Sequence, residues 1–404
     1  MPRKALEGVK ILDFTWIAAG PLTTIYFAKC GATVLKVESM KKPDGIRTSP
    51  PYLKGKAGLG RSLQFSHDNA NKLSIAINLK HPKGKEIAYR LVKWADVVAE
   101  NMRPGAMEKL GFGYEDLKKI NPSIIMFRSC LSGQNGPESQ LAATGTELQG
   151  FCGFTNLTGF PDKDPIPPWA AYTDLLVPSL GVGMLCGALA YRDKTGKGQC
   201  LDMSQFEASL HYLAPAFLDY FANNRSQTRN GNKCDYAAPH GVFRCKGDDR
   251  WCTIAVFTDE EWHSFIKAIG NPPWTSDPKF ATLMERKKNE EELNRLIEEW
   301  TINMTAEDVM NLMQSHGISA GVVQTAEDLL KDPQIKARKY LTKLDIGDGE
   351  TMSHQGLAFQ LSKTPYETSA PGPGLGEHTE QVCREILKMD DSEFIELFNS
   401  GVFE

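Results

Sequence analysis

The sequence predicts an α/β protein with a large, Rossmann-like parallel-sheet domain and a smaller α+β domain. The opening residues show a strand–helix–strand pattern, with β-rich residues at 9–14 and 32–38 and helical residues at 22–29 between them. Such units build the parallel sheets of ligand-binding proteins. The chain has 404 residues, which is long for a single core. A β-hairpin pattern at residues 241–256 follows a polar linker and indicates the second domain.

Three segments follow from this pattern. Residues 1–222 are predicted to form the N-terminal part of the large α/β domain. Residues 223–330 form the small α+β domain, and residues 331–404 form a C-terminal segment. The boundary near residue 223 rests on a polar, Gly- and Asn-rich run at residues 223–241.

The remaining elements of the large domain are read from periodicity and turn residues. The segment 41–70 is rich in Gly, Pro, Ser and Lys and is predicted to be a long surface loop. Residues 80–85 are predicted to be a turn and residues 129–137 a Gly-rich loop. The predicted strands are 73–79, 96–101, 124–127 and 200–204, and the predicted helices are 86–94, 106–110, 148–157 and 205–222.

Helical periodicity returns in the small domain and near the C-terminus. The predicted helices are 259–269, 289–300, 306–316 and 380–387, with Thr305 as the N-cap of the third.

Composition argues against several classes of function. The formal net charge is −4, so no basic field suggests nucleic acid. The nine cysteines form no CxxC pair, which indicates neither a zinc site nor a disulfide framework and fits reduced thiols in the cytoplasm. No apolar leader or membrane-spanning segment is predicted, so we expect no membrane partner.

Residues 172–191 carry the first chemical signal. Asp174 is the only carboxylate between Asp164 and Asp193, and a long apolar segment follows it. Gly183 and Gly187 lie one helical turn apart, which predicts a buried helix whose backbone is approached closely. A carboxylate near the start of this helix can act as a nucleophile or base, although capping is the commoner use of Asp there.

Several motifs resemble the class III CoA-transferase family, which also contains an α-methylacyl-CoA racemase branch. Residues 172–203 resemble its signature, including the Arg-Asp-Lys-Thr-Gly-Lys-Gly-Gln run that starts at Arg192. The Glu-Asn-Met-Arg-Pro-Gly run at residues 100–105 is similar to the family's Glu-Asn-Phe-Arg-Pro-Gly. A Pro- and Gly-rich run ending in Glu377-His378 is similar to the C-terminal motif. The resemblance covers nearly the whole chain.

The resemblance implies a set of site residues. Asp174 falls at the family's nucleophile. The basic residue that many members carry after the second strand is replaced by Ser39, so either Lys41 and Lys42 take over its contact or the contact is lost. The expected CoA-binding residues are Trp16, Ala18, Lys41, Asn101, Met102, Arg103, Ser132 and Gln134.

The chemistry of these residue types agrees with such use. Asn101 can bond an amide or base edge, Arg103 can pair with phosphate, and N–H groups of the loop around Ser132 can stabilise an oxyanion. Other interpretations stay open at each position. Trp16 fits a core residue equally well, Arg103 fits a solvated ion pair, and the loop fits an ordinary polar turn.

The resemblance further implies the reaction and the assembly. We expect transfer of CoA from an acyl-CoA such as succinyl-CoA to a carboxylic acid, through aspartyl anhydride and aspartyl-CoA thioester intermediates. The acceptor is expected to be an aromatic or dicarboxylic acid such as benzylsuccinate, and CoA thioester is the substrate, with no permanently bound cofactor or metal. The tail is expected to return to the large domain, giving an interlocked dimer, as a homodimer or a hetero-oligomer with a related subunit.

Two other functions remain possible from the sequence. One is an α-methylacyl-CoA racemase, and the other is a non-catalytic subunit of a hetero-oligomeric CoA-transferase. Where the racemase branch carries Gly-His-Asp, this chain has Gly145-Thr146-Glu147. Thr146 cannot act as a base near neutral pH, and Glu147 points about 100° away from it on a helix. The sequence therefore favours transfer over racemisation.

Overall fold

The computed structural model describes residues 4–404 and divides into two compact units. The large unit contains the described residues up to Phe154, together with Pro167–Ser226 and Lys336–Glu404. The small unit contains Thr155–Ile166 and Gln227–Ile335. The ranges drawn from the sequence, 1–222, 223–330 and 331–404, differ most at residues 155–166, which they assign to the large domain.

A six-stranded parallel sheet forms the centre of the large unit. Its order is β3-β2-β1-β4-β5-β6, and the strands are β1 Lys10–Asp13, β2 Thr33–Glu38, β3 Leu73–Ala76, β4 Val97–Glu100, β5 Ile125–Cys130 and β6 Cys200–Ser204. Leu12 pairs with Leu35 on one side and with Val98 on the other. This order confirms the predicted Rossmann-like α/β class. It puts the topological switch point between β1 and β4, where ligands bind in such sheets.

Helices cover both faces of this sheet. The helices of the large unit are α1 Ala19–Lys29, α2 Leu63–Asp68, α3 Pro82–Trp94, α4 Ala106–Leu110, α5 Tyr114–Ile120, α6 Gly145–Cys152, α8 Tyr172–Leu176, α9 Pro178–Thr195, α10 Gln205–Leu210 and α11 Ala214–Asn223. The short helix α7 Phe154–Leu157 begins in the large unit and continues in the small unit. Successive side chains of a strand point to opposite faces. Ile11 therefore joins the core beneath α1 and α9, and Leu12 joins the core beneath α3 and α5.

The small unit has its own core. A three-stranded antiparallel sheet consists of β7 His240–Arg244, β8 Trp251–Ala255 and β9 Ser319–Val322. Its helices are α12 Asp259–Ala268, α13 Leu283–Lys288, α14 Glu290–Thr301, α15 Ala306–Ser315 and α16 Ala326–Lys331. Trp262, Phe265 and Ile297 pack in the core. The predicted hairpin is present, and Thr305 caps α15 by accepting the N–H of Asp308.

The last residues of the chain belong to the large unit. They form α17 Pro333–Ala337, which begins at the edge of the small unit, then β10 Leu341–Asp345, β11 Thr351–Gln355, α18 Thr379–Gln381, a π-helical turn at Val382–Ile386 and α19 Asp391–Asn399. Phe394 and Val402 enter the same core as Leu12. The Asn78 N–H donates to the carbonyl of Val402 at 2.8 Å, so the tail is bonded to the end of β3.

Several predicted bounds were wrong for local reasons. Helix α3 begins at Pro82, inside the predicted turn, because proline suits the first helical position. Strand β5 extends to Cys130, so Ser129 lies in the strand and not in the loop. The predicted helix 148–157 is interrupted at Gly153, which has φ +92°, and 205–222 is interrupted by a 3₁₀ turn at His211–Leu213.

Helix α9 departs from the expectation of a helix approached closely along its small residues. A Cβ added to Gly181 would lie 3.0 Å from side-chain atoms of both Thr23 and Phe127, so the backbone is approached there. A Cβ added to Gly183 or Gly187 would meet nothing within 4 Å. The outer side of α9 is therefore open in the single chain.

The prediction of no membrane-spanning segment needs one correction. Among the described residues, Tyr172–Thr195 is long and apolar enough to pass a test of length and composition, with a mean hydropathy of 1.5. Core helices of soluble proteins pass the same test, and Leu185, Ala188 and Leu189 of this segment lie in the core of the large unit. The segment is therefore weak evidence for a membrane contact.

Candidate active site

Asp174 lies on a short helix of its own. The sequence placed it near the start of the long apolar helix, but α8 ends at Leu176 and Val177 separates it from α9. Pro178 occupies the first turn of α9 as predicted. Helix α8 packs against α1 and α6, so Asp174 belongs to the end of the sheet at which β1 leads into α1.

A glycine makes room for the Asp174 carboxyl group. Helix α6 begins at Gly145, and a Cβ added there would lie 2.6 Å from Oδ2 of Asp174 and 2.8 Å from Cβ of Ala171. The hydroxyl of Thr173 donates to the Gly145 carbonyl at 3.1 Å. The start of α6 and the aspartate are thus held in direct contact, and a larger residue at position 145 would displace the carboxyl group.

The environment of Asp174 is poor in compensating charge. Burial raises the pKa of this carboxyl to about 6, and no other cause accompanies the burial. Within residues 4–404, no lysine, arginine or histidine forms an ion pair with it. Asp174 is partly exposed, so the anion present above that pH has lost only part of its hydration. This partial desolvation favours its use as a nucleophile.

Gln149 fixes the segment that leads into α8. Its side-chain Nε2 donates to the carbonyl of Ala170 at 2.6 Å, and the residue is fully buried. Ala170 has φ +56°, a backbone conformation that residues other than glycine rarely adopt. The next residue, Ala171, accepts the N–H of Asp174 at its carbonyl. Gln149 thus holds the segment before α8 in place. Sequence reasoning did not identify this residue, because no sequence motif marks a buried glutamine.

The residues at the racemase position serve a structural purpose. Thr144 and Glu147 form a capping box at the start of α6, in which the N–H and hydroxyl of Thr144 both donate to Glu147. These bonds lower the pKa of the Glu147 carboxyl. Thr146 lies exposed beside them. An engaged capping glutamate is poorly suited to removing a proton from carbon.

Trp16 and Asn101 meet at the switch point. The N–H of Trp16 donates to Oδ1 of Asn101 at 2.8 Å, and Nδ2 of Asn101 donates back to the Trp16 carbonyl at 2.8 Å. The Trp16 ring is only partly buried, with Nζ of Lys42 5.3 Å from its centroid. Ala18 is buried and precedes α1. The structure thus joins two predicted site segments that are 85 residues apart in the chain.

The basic candidates differ in their availability. Nζ of Lys41 lies 3.0 Å from Oε2 of Glu404, and both side chains are exposed. Arg103 is exposed and forms no ion pair within the described part of the chain, so its guanidinium is free to meet an anion. Met102 is half-buried against the core, and its N–H donates to Glu100. Arg103 is therefore the better placed of the two cations for phosphate.

The loop after β5 is tied down by Asp202. The N–H of Gln134 donates to both carboxylate oxygens of Asp202, at 3.2 and 3.0 Å, and its side chain reaches Sγ of Cys130 at 3.3 Å. Gly133 has φ +83°, which suits glycine. Ser132 is half-buried beside it. The N–H of Gln134 is already engaged, so an oxyanion here would need other donors.

The site combines a doubly wound parallel sheet with the half-buried Asp174 carboxyl group, which forms no ion pair within residues 4–404. This combination is typical of an α/β enzyme. The sequence pattern of CoA-transferase family III matches residues 6–379. The chain belongs to CoA-transferase family III.

Two relatives and one solved structure show how far the similarity extends. A succinyl-CoA–D-citramalate CoA-transferase of Chloroflexus aurantiacus is 31% identical over 392 residues, covering 97% of this chain and 96% of the relative. A succinyl-CoA–L-malate CoA-transferase beta subunit of the same organism is 31% identical, covering 98% of each chain. A CAIB/BAIF family protein from Brucella suis has a TM-score of 0.87 at 31% identity, covering 95% of this chain and all of that one. The protein is thus an enzyme, a CoA-transferase.

Proposed function

We propose that the protein transfers CoA from an acyl-CoA, with succinyl-CoA as the donor, to a small carboxylic acid, using Asp174 as the nucleophile. The observation that carries this proposal is the Asp174 carboxyl, which lies against Gly145, has a raised pKa and forms no ion pair among residues 4–404. At neutral pH this group is a partly desolvated anion. Such an anion is reactive towards a thioester carbonyl and has no stable ion pair to give up.

The reaction follows from two reversible acyl transfers. An oxygen of Asp174 attacks the thioester carbonyl, the C–S bond breaks, and a mixed anhydride and CoA thiolate form. The thiolate then attacks the aspartyl carbonyl of the anhydride. The anhydride bond breaks, the donor acid departs as its carboxylate, and an aspartyl-CoA thioester remains on the enzyme. The acceptor carboxylate then repeats these steps in reverse, which restores Asp174. Each intermediate retains the energy of the thioester, so water must be excluded.

The acceptor is proposed to be a dicarboxylic acid. The two Chloroflexus relatives are named for D-citramalate and L-malate, which are both dicarboxylates. Benzylsuccinate, the acceptor suggested by the sequence, is also a dicarboxylate with an added aromatic ring. Half-buried Trp16 at the switch point offers an aromatic surface. A panel of acids should therefore contain aliphatic and aromatic dicarboxylates.

The assembly is proposed to be a dimer, as a homodimer or with a related chain. Helix α11 buries Asp219 while Leu218 and Phe221 are 66% and 82% exposed. An amphipathic helix with its apolar residues outward lacks a partner surface. The name of the second relative includes a beta subunit, which supports the hetero-oligomeric form as the alternative.

The test is a screen of acyl-CoA donors against acids, read by mass spectrometry of acyl-CoA products. We expect succinyl-CoA to yield a new acyl-CoA with at least one dicarboxylate and Asp174→Ala to abolish the exchange. Intact-protein mass spectrometry with succinyl-CoA should reveal a CoA adduct in the wild type and none in Asp174→Ala. Activity retained in Asp174→Ala would place the nucleophile elsewhere, and no exchange with any acid would favour the non-catalytic subunit.

The racemase alternative is separated by isotope exchange. A racemase removes and returns a proton next to the thioester carbonyl. A chiral 2-methylacyl-CoA incubated with the enzyme in deuterated water should keep its hydrogen and its configuration. Deuterium entering the α-carbon as fast as CoA is exchanged would contradict the transferase proposal.

A further inference from the structure

The turn that joins β1 to α1 holds a residue in an unfavourable conformation. Ile17 has φ +66°, in the left-handed region that β-branched residues avoid. Its side chain is 52% exposed, so packing within the described chain does not compensate. A strained, exposed residue at a switch point is a common mark of a binding site.

Asp44 holds this residue in place. The N–H of Ile17 donates to both oxygens of the Asp44 carboxylate, at 3.0 and 3.2 Å. The same carboxylate accepts the N–H of Ile46 at 3.2 Å and caps the 3₁₀ turn Gly45–Thr48. Asp44 has no solvent exposure. The strained turn therefore depends on a carboxylate that comes from a different loop.

Lys36 completes the arrangement from β2. Its Nζ lies 2.9 Å from Oδ2 of Asp44 and donates to the carbonyl of Thr15 at 2.7 Å. Both side chains are fully buried. Burying two charges costs their hydration, and a pair of apolar residues of similar size often gives equal or greater folding stability. Stability alone therefore does not account for this ion pair. Its hydrogen bonds do, because Lys36 bonds to Thr15 and Asp44 bonds to Ile17, on the two sides of the turn.

Asn101 holds the residue in between. Trp16 has both its backbone groups bonded to the Asn101 side chain, as described above. Three consecutive residues are thus fixed by side chains from β2, from the loop after β2 and from the end of β4. Each residue of the turn is therefore hydrogen-bonded to a side chain from outside the turn.

We propose that the buried Lys36–Asp44 ion pair is a positioning device, which holds residues 15–17 in a disfavoured conformation and presents Trp16 and Ile17 to the bound acyl-CoA. The inference rests on the proposed function, because that function provides the ligand. Neither charged residue touches the substrate in this proposal. Their effect on binding passes through the turn.

The test replaces the pair with apolar residues of similar size. We expect the double variant Lys36→Met/Asp44→Leu to fold, because no buried charge is left unpaired. Its KM for succinyl-CoA should rise about tenfold, which corresponds to about 1.4 kcal/mol of binding. Its kcat and its KM for the acid acceptor should stay within about twofold of the wild type. A folded double variant with unchanged KM for succinyl-CoA would overturn the proposal.

A second pair of variants separates strain from position. Ile17→Gly removes the backbone strain, so melting temperature should rise while KM for succinyl-CoA also rises. Lys388 has φ +56° and is exposed in the tail, so Lys388→Gly should give a similar rise in melting temperature with unchanged KM. Equal KM values in the two variants would show that the turn has no part in binding.

The same variants distinguish failure of this inference from failure of the proposed function. If the wild type exchanges no CoA, or if Asp174→Ala stays active, the proposed chemistry is wrong while the turn can still bind coenzyme A. Calorimetric titration of free coenzyme A into the wild type and Lys36→Met/Asp44→Leu then decides. Binding weakened about tenfold upholds the positioning role, and equal affinities overturn it.

Discussion

At the scale of single residues, ionisation of Asp174 is needed for the proposed chemistry but lowers the free energy of unfolding. Burial raises its pKa from 3.8 in the unfolded chain to about 6 in the fold. Between these values the folded state binds more protons than the unfolded state, so stability falls as pH rises through this window. Above about pH 6 the full cost of burying the anion is present. The proposed nucleophile is therefore ionised at neutral pH at the expense of folding stability.

The first prediction concerns Asp174→Asn. At pH 7.5 this variant should be more stable than the wild type by about 1–3 kcal/mol, because it replaces a desolvated carboxylate with a neutral amide of similar size. The advantage should shrink on acidification and vanish below about pH 3, where the wild-type carboxyl is protonated in both states. Denaturant unfolding across this range measures it. A variant that is less stable at pH 7.5 would mean that the anion has a stabilising partner.

The second prediction concerns Gly145. Gly145→Ala places a Cβ within 2.6 Å of the Asp174 carboxyl, so the carboxyl must move and kcat should fall by about 10²-fold. Gly150 is the matched control on the same helix, since a Cβ there meets nothing within 4 Å. Gly150→Ala should keep full activity and gain about 0.5–1 kcal/mol of stability. Equal activity in the two variants would show that Gly145 has no bearing on the carboxyl.

At the scale of elements, the sequence predicted what local periodicity and motifs determine. The strands β1, β2, β4 and β6 and helices α4 and α12 lie within two residues of the predicted bounds. The hydrogen bonds between Trp16 and Asn101 form because β1 and β4 are neighbours in the sheet, and local sequence patterns do not predict which strands are neighbours. The same limit applies to Asp44, whose contact with Ile17 spans 27 residues of chain. Gly145 was visible in a motif, but its contact with Asp174 requires α6 and α8 to pack.

The third prediction concerns the turn between β4 and α4. Arg103 is exposed and unpaired within the described residues, which suits an anion contact remote from the reacting carbonyl. Arg103→Ala should raise KM for succinyl-CoA about tenfold and lower kcat less than that. Lys119→Ala removes an exposed cation of α5, which pairs with Asp116, and should leave KM unchanged. An unaltered KM in Arg103→Ala, measured with several acyl-CoAs, would remove Arg103 from the binding site.

At the scale of the whole molecule, exposed apolar surfaces of the large unit support the assembly proposed above. Trp169 is 85% exposed, and α11 and the outer side of α9 present further apolar residues. Surfaces of this kind on a single chain usually mark an interface. A partner chain would also explain why Gly183 and Gly187 occupy positions where a single chain has no use for small residues.

The fourth prediction follows from these surfaces. Sedimentation should show a stable dimer at assay concentrations. Phe221→Asp on α11 should weaken it measurably, because it buries a charge in an apolar interface. An active wild-type monomer at these concentrations would contradict the dimer.

The return of the tail to the large unit has a consequence for biosynthesis. The core around Leu12 is completed by Val382, Phe394 and Val402, which are synthesised after the small unit. The face of β1–β3 that they cover must therefore stay open while residues 155–381 are made, for about 10–50 s at usual rates of synthesis. The small unit, most of which is the continuous segment Gln227–Ile335, can complete its core earlier. We therefore expect the nascent large unit to expose this apolar face until the tail is made, and to be bound there by chaperones that recognise exposed apolar sheet.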